Sequence, residues 1–303
     1  MNRWWIYQKE RFPLAQHVPL VLAFSLSALF FSRLLRGEST LPGWSQVIVG
    51  FCTALLLFLQ LRIADEFKDF DEDSRYRPYR AVPRGLVRLP ELGVIFAASA
   101  VIQFLLAIWL EPRLIVLLVV TWIYLAGMCK EFFMRRWLKA HPLIYLWSHM
   151  LIMPLIDLYV TSCDWLASGQ TQPPKGILWF LVVSFFNGVL FEFGRKIRAR
   201  EDEETGVQTY TALWGIQKAT GAWMLTLLMN FFAVTMAARQ TGSLMFTVPL
   251  LLAFLAVAIN VGQRFLKTPT RARSKAIETV SGIWTLAMYI TLGPLALIYH
   301  ALV

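Results

Sequence analysis

The sequence predicts an all-α, polytopic membrane protein with about nine transmembrane helices. Three observations carry this expectation. Hydrophobic residues make up 57% of the 303, with a mean hydropathy of +0.55, against roughly 45–50% in soluble domains. The apolar residues gather into windows of about 20, the length that crosses a bilayer. The loops between these windows alternate along the chain between rich and poor in Lys and Arg.

Nine windows qualify, at about 18–35, 44–63, 91–110, 113–129, 142–163, 176–194, 217–238, 244–263 and 279–300. Those beginning at 18 and 113 are the shortest. Pro13, Pro42, Pro90, Pro142, Pro173 and Pro174 mark several edges. Ahead of the windows, residues 1–12 carry Arg3, Lys9 and Arg11 beside Trp4 and Trp5. That mixture reads as an interfacial helix lying on the membrane, and no cleavable signal peptide is evident. The whole chain, 1–303, reads as one transmembrane domain.

Lys and Arg number three before the first window, then two, six, one, four, one, five, one and five in the successive loops. Cytoplasmic loops carry the excess of basic residues. The alternation has no exception, so it places the N-terminus and loops 2–3, 4–5, 6–7 and 8–9 in the cytoplasm. Strands are not expected, because backbone in lipid must satisfy its own hydrogen bonds. The net charge is +10. The basic residues lie between apolar windows, which points to anionic lipid headgroups and an anionic substrate and not to nucleic acid, for which there is no motif. Cys52, Cys129 and Cys163 each sit in or beside an apolar run, and their odd number argues against a disulfide framework.

Two charged segments carry the chemistry. In the first, 64–89, six of the chain's 19 acidic residues fall within nine positions: Asp65, Glu66, Asp69, Asp71, Glu72 and Asp73. The segment extends the second spanning helix. Asp65, Asp69 and Asp73 recur every four residues, which puts three carboxylates on one helix face. Like charges at that spacing repel, and a divalent cation bridging them removes the repulsion. Mg2+ prefers a few carboxylates together with phosphate oxygens and water. Arg75, Arg77, Arg80 and Arg84 follow directly, and Arg grips phosphate through paired hydrogen bonds. Carboxylates, Mg2+ and arginines together would form a diphosphate clamp. The competing reading is a solvated loop laced with surface ion pairs.

The second segment, 195–216, follows the sixth window and contains Arg195, Lys196, Arg198, Arg200, Glu201, Asp202, Glu203 and Glu204. Glu192 lies one turn before Lys196, and Arg198 one turn before Asp202. Gly206 is positioned as a helix C-cap. The segment reads as a further diphosphate and metal site, or as a charged cytoplasmic loop.

These segments resemble those of the UbiA superfamily of intramembrane prenyltransferases, in which nine spanning helices surround a central cavity. The family's first motif is Asn-Asp-x-x-Asp-x-x-x-Asp, and Asp65-Glu66-Phe67-Lys68-Asp69-Phe70-Asp71-Glu72-Asp73 is similar in spacing. Asp65 and Glu66 stand where the family usually has Asn and Asp. Arg80-Ala81-Val82-Pro83-Arg84-Gly85 resembles the family's Arg-Pro stretch ending in Gly. Counting back from Gly206, Asp202 falls on the second Asp of the family's Asp-x-x-x-Asp motif, but Arg198 falls on the first. The resemblance therefore implies metal ligands among Asp65, Asp69, Asp73, Glu192, Glu201 and Asp202, or one Mg2+ held mostly by the first segment. The diphosphate contacts it implies are Arg75, Arg77, Arg80, Arg84, Arg135, Arg136, Lys196 and Arg198.

The function implied is Mg2+-dependent ionisation of a prenyl diphosphate, followed by transfer of the prenyl group to an aromatic or other apolar acceptor. An apolar cavity would keep water from the allylic cation. Inside the fifth window, His149 and Asp157 lie two turns apart, and intramembrane ionisable residues are functional candidates. Either could take the acceptor's proton; the alternative is a packing pair. Asn187 is a weaker candidate of the same kind. Two other functions fit the same features. A terpene cyclase on this scaffold would capture the cation with the substrate's own double bonds. A transporter or lipid-binding protein would release no diphosphate, but would place ionisable groups near the midplane.

Overall fold

The structure, a computed structural model, describes residues 2–204 and 206–302. Among them there are helices and turns and no strand. A short helix, α1 (Arg3–Arg11), precedes α2 (Leu14–Leu35) and α3 (Trp44–Lys68). Next come α4 (Phe70–Tyr76), α5 (Leu89–Leu110), α6 (Leu114–Cys129), α7 (Arg135–Ala140), α8 (Pro142–Met150) and α9 (Ile152–Trp165). The rest of the chain forms α10 (Ile177–Lys196), α11 (Tyr210–Gln240), α12 (Leu244–Lys267), α13 (Arg271–Ile290) and α14 (Ala296–Leu302).

Among the described residues, eight helical stretches are long and apolar enough to cross a membrane. One is α8 and α9 together, Pro142–Trp165, and another joins α13 to α14, Arg271–Leu302, through a π-helical turn holding Pro294. The ninth expected crossing, α6, is apolar but only 16 residues long. At 1.5 Å per residue it rises about 24 Å, less than the roughly 30 Å hydrocarbon core. Within α11, Gly215 leaves the helical region with φ 79° and ψ 160°, so the uninterrupted helix starts after it, near the expected start at 217.

The chain forms two compact units. The first runs to Leu29 and then from Pro42 to Pro173. In it α3 packs on α5 and α9, and α6 on α9. Gly50 permits the α3–α9 approach, since a Cβ there would lie 3.2 Å from Val160 Cγ1. Gln103 in this apolar packing finds partners on two neighbouring helices, as buried polar groups mostly do. Gln103 donates to the Thr53 carbonyl at 3.2 Å and accepts from the Trp122 indole at 3.0 Å. The α1 helix is fastened to the segment that follows α3. Tyr7 is buried in a cluster with Ile63, Ala81, Val82, Val87 and Leu92. Arg3 pairs with Glu91 at 2.8 Å, Glu10 with Arg84 at 2.8 Å, and Arg11 with the buried Glu66.

The second unit comprises Phe30–Leu41 and the chain from Pro174 onward. There α10 packs on α11 and α13, and α12 on α11 and α13. A buried polar chain joins three of these helices. Asn230 donates to Asn187 Oδ1 at 3.2 Å and accepts from the Trp284 indole at 3.1 Å. Asn187 is thus part of the helix packing, with no exposure to solvent. The α10–α13 approach depends on Gly194, where a Cβ would come 2.6 Å from Ser281 Cβ. Gly194→Ala is expected to cost about 1–3 kcal/mol through overpacking, read as a lower melting temperature of the purified protein in detergent.

Candidate active site

The first acidic segment departs from the expected continuous helix. The α3 helix stops at Lys68, Asp69 adopts φ −98° and ψ 6°, and α4 resumes at Phe70. Mutual repulsion of carboxylates four apart weakens a helix, and the break falls at the middle carboxylate of the three. The i to i−4 hydrogen bonds nevertheless continue across it, Asp69 N to Asp65 O at 2.9 Å and Asp73 N to Asp69 O at 2.8 Å.

The three carboxylates meet different surroundings. Asp73 is 2% exposed and is held by Arg77 at 2.9 Å and Arg80 at 2.6 Å. Asp65 is half-exposed, with Arg62 and Lys68 each 3.7 Å away, longer than a charge-assisted hydrogen bond. Asp69 is half-buried and makes no ion pair among the described residues. Burial pushes its carboxyl above the ordinary range; Lys68 opposes this, while Asp65, Asp73 and Glu72 add to it. Glu66 is turned away to Arg11. Glu72 pairs with Lys139, whose hydrogen bond is the main cause holding its carboxyl below the usual range, and with Arg135 at 3.7 Å. Asp65, with only long pairs, and Asp69 lie one turn apart and are only loosely engaged by the protein's own cations; Asp71 is exposed and likewise makes no ion pair among the described residues.

The arginines are similarly sorted. Arg77 and Arg80 are anchored by Asp73, and Arg84 by Glu10 and the Tyr79 carbonyl. Arg75 lies over the Tyr76 ring at 5.2 Å, and Arg135 and Arg136 are exposed.

Asp65, Lys68 and His149 line one small pocket with the apolar Leu61, Leu125 and Met128. His149 is 6% exposed, and its ring stacks on Tyr145 with centroids 4.0 Å apart. Its Nδ1 lies 2.9 Å from the Tyr145 carbonyl oxygen. A carbonyl only accepts, so Nδ1 carries the hydrogen and Nε2 is the basic nitrogen. Lys68 donates to the Tyr145 hydroxyl at 3.1 Å. Asp157 is fully buried in α9 and does not line this pocket. Between His149 and Asp157 the helix assignment breaks at Leu151, which keeps right-handed helical dihedrals of φ −63° and ψ −14°. Lys68, Tyr145 and Cys129 belong to the site's surroundings and were not among the sequence candidates. Their spacing was the available signal: Lys68 is three residues after Asp65, and Tyr145 four before His149.

Beside this pocket the chain is strained. Glu131, Phe132 and Phe133 have φ values of 47°, 50° and 60°, a left-handed run that costs non-glycine residues roughly 1–3 kcal/mol each. It seats the Phe132 ring edge-on to His149, with centroids 6.0 Å apart.

In the second segment, α10 ends at Lys196, and Glu192 pairs with Arg195 at 2.7 Å and Lys196 at 2.8 Å. Beyond that point the helical spacing no longer applies. The Arg198 guanidinium reaches the Asp202 backbone carbonyl and pairs with Glu204 at 3.2 Å, while the Asp202 carboxylate pairs with Arg271 at 3.2 Å. Glu201 accepts from the Arg271 backbone N–H at 2.6 Å. Gly206 has φ 80° but lies outside any helix end, in a turn where Val207 N–H donates to the Glu204 carbonyl. Among the described residues no three His, Cys, Asp or Glu side chains converge as a metal-ligand set. An ion at Asp65 and Asp69 would take its other ligands from phosphate and water, as Mg2+ commonly does.

The UbiA prenyltransferase family model matches residues 25–291. Comparison with curated proteins gave no match. Among solved structures, the fold is similar to that of a UbiA homologue from Aeropyrum pernix without ligand, at 16% identity and a TM-score of 0.67, covering 94% of this chain and 98% of that one. It is also similar to digeranylgeranylglyceryl phosphate synthase, at 13% identity and a TM-score of 0.65, covering 96% and 99%. A UbiA homologue from Archaeoglobus fulgidus, bound to DMAPP and Mg2+, matches at 11% identity and a TM-score of 0.59, covering 94% and 98%. With apolar crossings throughout, a first acidic segment after α3, and a family match over most of its length, this chain belongs to the UbiA prenyltransferase family.

Proposed function

We propose that the chain is an intramembrane, Mg2+-dependent prenyltransferase that ionises a prenyl diphosphate and passes the prenyl group to an aromatic or other apolar acceptor. The observation that carries this reading is the Asp65–Asp69 pair. Asp69 is half-buried among like charges and makes no ion pair among the described residues. Such a group is stabilised by an incoming cation. The Archaeoglobus fulgidus homologues are bound to DMAPP or GPP with Mg2+.

In this reading Asp65 and Asp69 hold Mg2+, which when bound neutralises the charge that builds on the departing diphosphate. Asp73 fixes Arg77 and Arg80, and their remaining N–H groups bind phosphate oxygens. Arg75, Arg84, Arg135 and Arg136 supply further positive charge around the same segment. The C–O bond to the diphosphate breaks, and its electron pair leaves with the diphosphate. Leu61, Leu125 and Met128 give the first carbons of the prenyl chain an apolar wall that excludes water. The acceptor carbon bonds to the allylic carbon and loses a proton, which His149 Nε2 accepts. The Lys and Arg alternation supports a cytoplasmic N-terminus and cytoplasmic acidic segments.

The test is product analysis with C10 to C20 prenyl diphosphates, with and without candidate aromatic acceptors. Transfer to an acceptor supports the reading. A hydrocarbon or alcohol formed from the diphosphate alone would point to the cyclase instead. His149→Gln is expected to lower the transfer rate about 10²-fold, the size of a lost general base, and to leave the dependence on Mg2+ concentration unchanged. A shift in that dependence would remove His149 from the proton-accepting role.

A further inference from the structure

The two acidic segments differ in how their carboxylates are satisfied. In the second, every described carboxylate has a donor from the protein itself. Glu192 is held by Arg195 and Lys196 at 2.7 and 2.8 Å, and Glu204 by Arg198 at 3.2 Å. Glu201 accepts from the Arg271 backbone at 2.6 Å, and Asp202 pairs with the Arg271 guanidinium at 3.2 Å. Glu203 accepts from the hydroxyls of Thr209 at 2.6 Å and Thr211 at 2.9 Å. The charges also cancel. Glu192, Glu201, Asp202, Glu203 and Glu204 give five negative charges, and Arg195, Lys196, Arg198, Arg200 and Arg271 give five positive ones.

The carboxylates also face different elements. Asp202 and Glu201 reach the start of α13, Glu203 reaches the start of α11, and Glu192 stays on α10. A cation drawn into this segment would have to strip donors from several carboxylates and would leave guanidinium groups unpaired beside it. Arg198 lies among them and repels it further. Nothing comparable protects Asp69, which makes no ion pair among the described residues.

We infer that the second acidic segment holds no metal ion and serves as a charge-neutral latch joining the end of α10 to the starts of α11 and α13, so that the chain binds a single divalent cation, on the first segment. The inference rests on the reading of Asp65 and Asp69 as Mg2+ ligands. It assigns Glu192, Glu201 and Asp202 to positioning these helices rather than to coordination, and Arg198 to holding the latch closed.

Counting Mn2+ ions tests it without reference to activity. Mn2+ is titrated into the full-length protein in detergent, and bound ions are counted by electron paramagnetic resonance. The chains compared are the wild type, Asp69→Asn, Glu201→Gln and Asp202→Asn, each checked for folding by thermal melting. The inference predicts about one ion per chain, lost in Asp69→Asn and retained with unchanged affinity in Glu201→Gln and Asp202→Asn. Two ions in the wild type, or loss of an ion in either second-segment variant, would overturn the single-ion inference while leaving metal dependence intact. Absence of binding by the wild type would overturn the metal reading itself. Should Asp202→Asn fail to fold, Glu201→Gln and the wild-type count still decide.

Discussion

Asp69→Asn is expected to lower Mg2+-dependent diphosphate release by about 10²–10³-fold, the effect of removing one group that stabilises developing charge. The substitution keeps the side chain's size and removes only its charge. Asp69 makes no ion pair among the described residues, so no internal salt bridge is lost. Its carboxyl is raised by burial and by Asp65, Asp73 and Glu72, with Lys68 opposing. A folded-state pKa above the unfolded value means that the ionised group opposes folding as pH rises through it. At neutral pH without Mg2+, the variant is therefore expected to melt at or above the wild-type temperature. Adding Mg2+ should raise the wild-type melting temperature, because a ligand bound only by the folded state stabilises it, and should leave the variant's unchanged. Lost activity accompanied by a lower melting temperature would mark Asp69 as structural and not as a cation ligand.

Asp73→Ala is expected to do the reverse, with stability falling first. Asp73 is 2% exposed and holds Arg77 and Arg80 at 2.9 and 2.6 Å. Removing one partner of a buried ion pair leaves the other uncompensated, at a cost of about 3–5 kcal/mol. The arginine side chains keep 16% and 23% of their exposure, and this path to water puts the expected loss at the lower end, about 3 kcal/mol. In a chain of this size that lowers the melting temperature by roughly 5–10 °C. Diphosphate binding weakens with it, since the two guanidinium groups lose the anchor that orients them. Arg77→Ala should weaken binding with a smaller stability loss, because Asp73 keeps Arg80. An Asp73→Ala protein that melts like the wild type would show that Asp73 does not organise these arginines.

The crossings were legible because lipid imposes one rule on all of them. A long apolar window has to become a helix, so the windows at 44–63 and 244–263 reappear within α3 and α12. The interruption of α11 at Gly215 lies at the edge of its window for the same reason. The first acidic segment stood out as a candidate site because six carboxylates beside a membrane helix have few structural uses. Its internal division was not. Which of Asp65, Asp69 and Asp73 would be buried depends on where Arg77 and Arg80 fold back, and the spacing of the acids carries no trace of that. Glu66 was read as part of the acidic motif, and its partner Arg11 lies 55 positions away. Spacing rules apply within helices, and they stopped working where helices ended. Arg198 and Asp202 are four apart, but α10 closes at Lys196, so their side chains find Glu204 and Arg271 instead. His149 was recognisable as an ionisable group in a membrane span, whereas Tyr145 and Lys68 became visible only through the hydrogen bond from Lys68, at the end of α3, to Tyr145 of α8, whose ring stacks on His149.

Diphosphate release by the purified wild-type protein, with a C10 to C20 series of prenyl diphosphates in the presence and absence of Mg2+, tests the central claim most directly. Release is expected with at least one chain length, dependent on Mg2+ and stopped by chelation. Release that persists in chelator, or no release with any chain length after candidate acceptors are added, would contradict it.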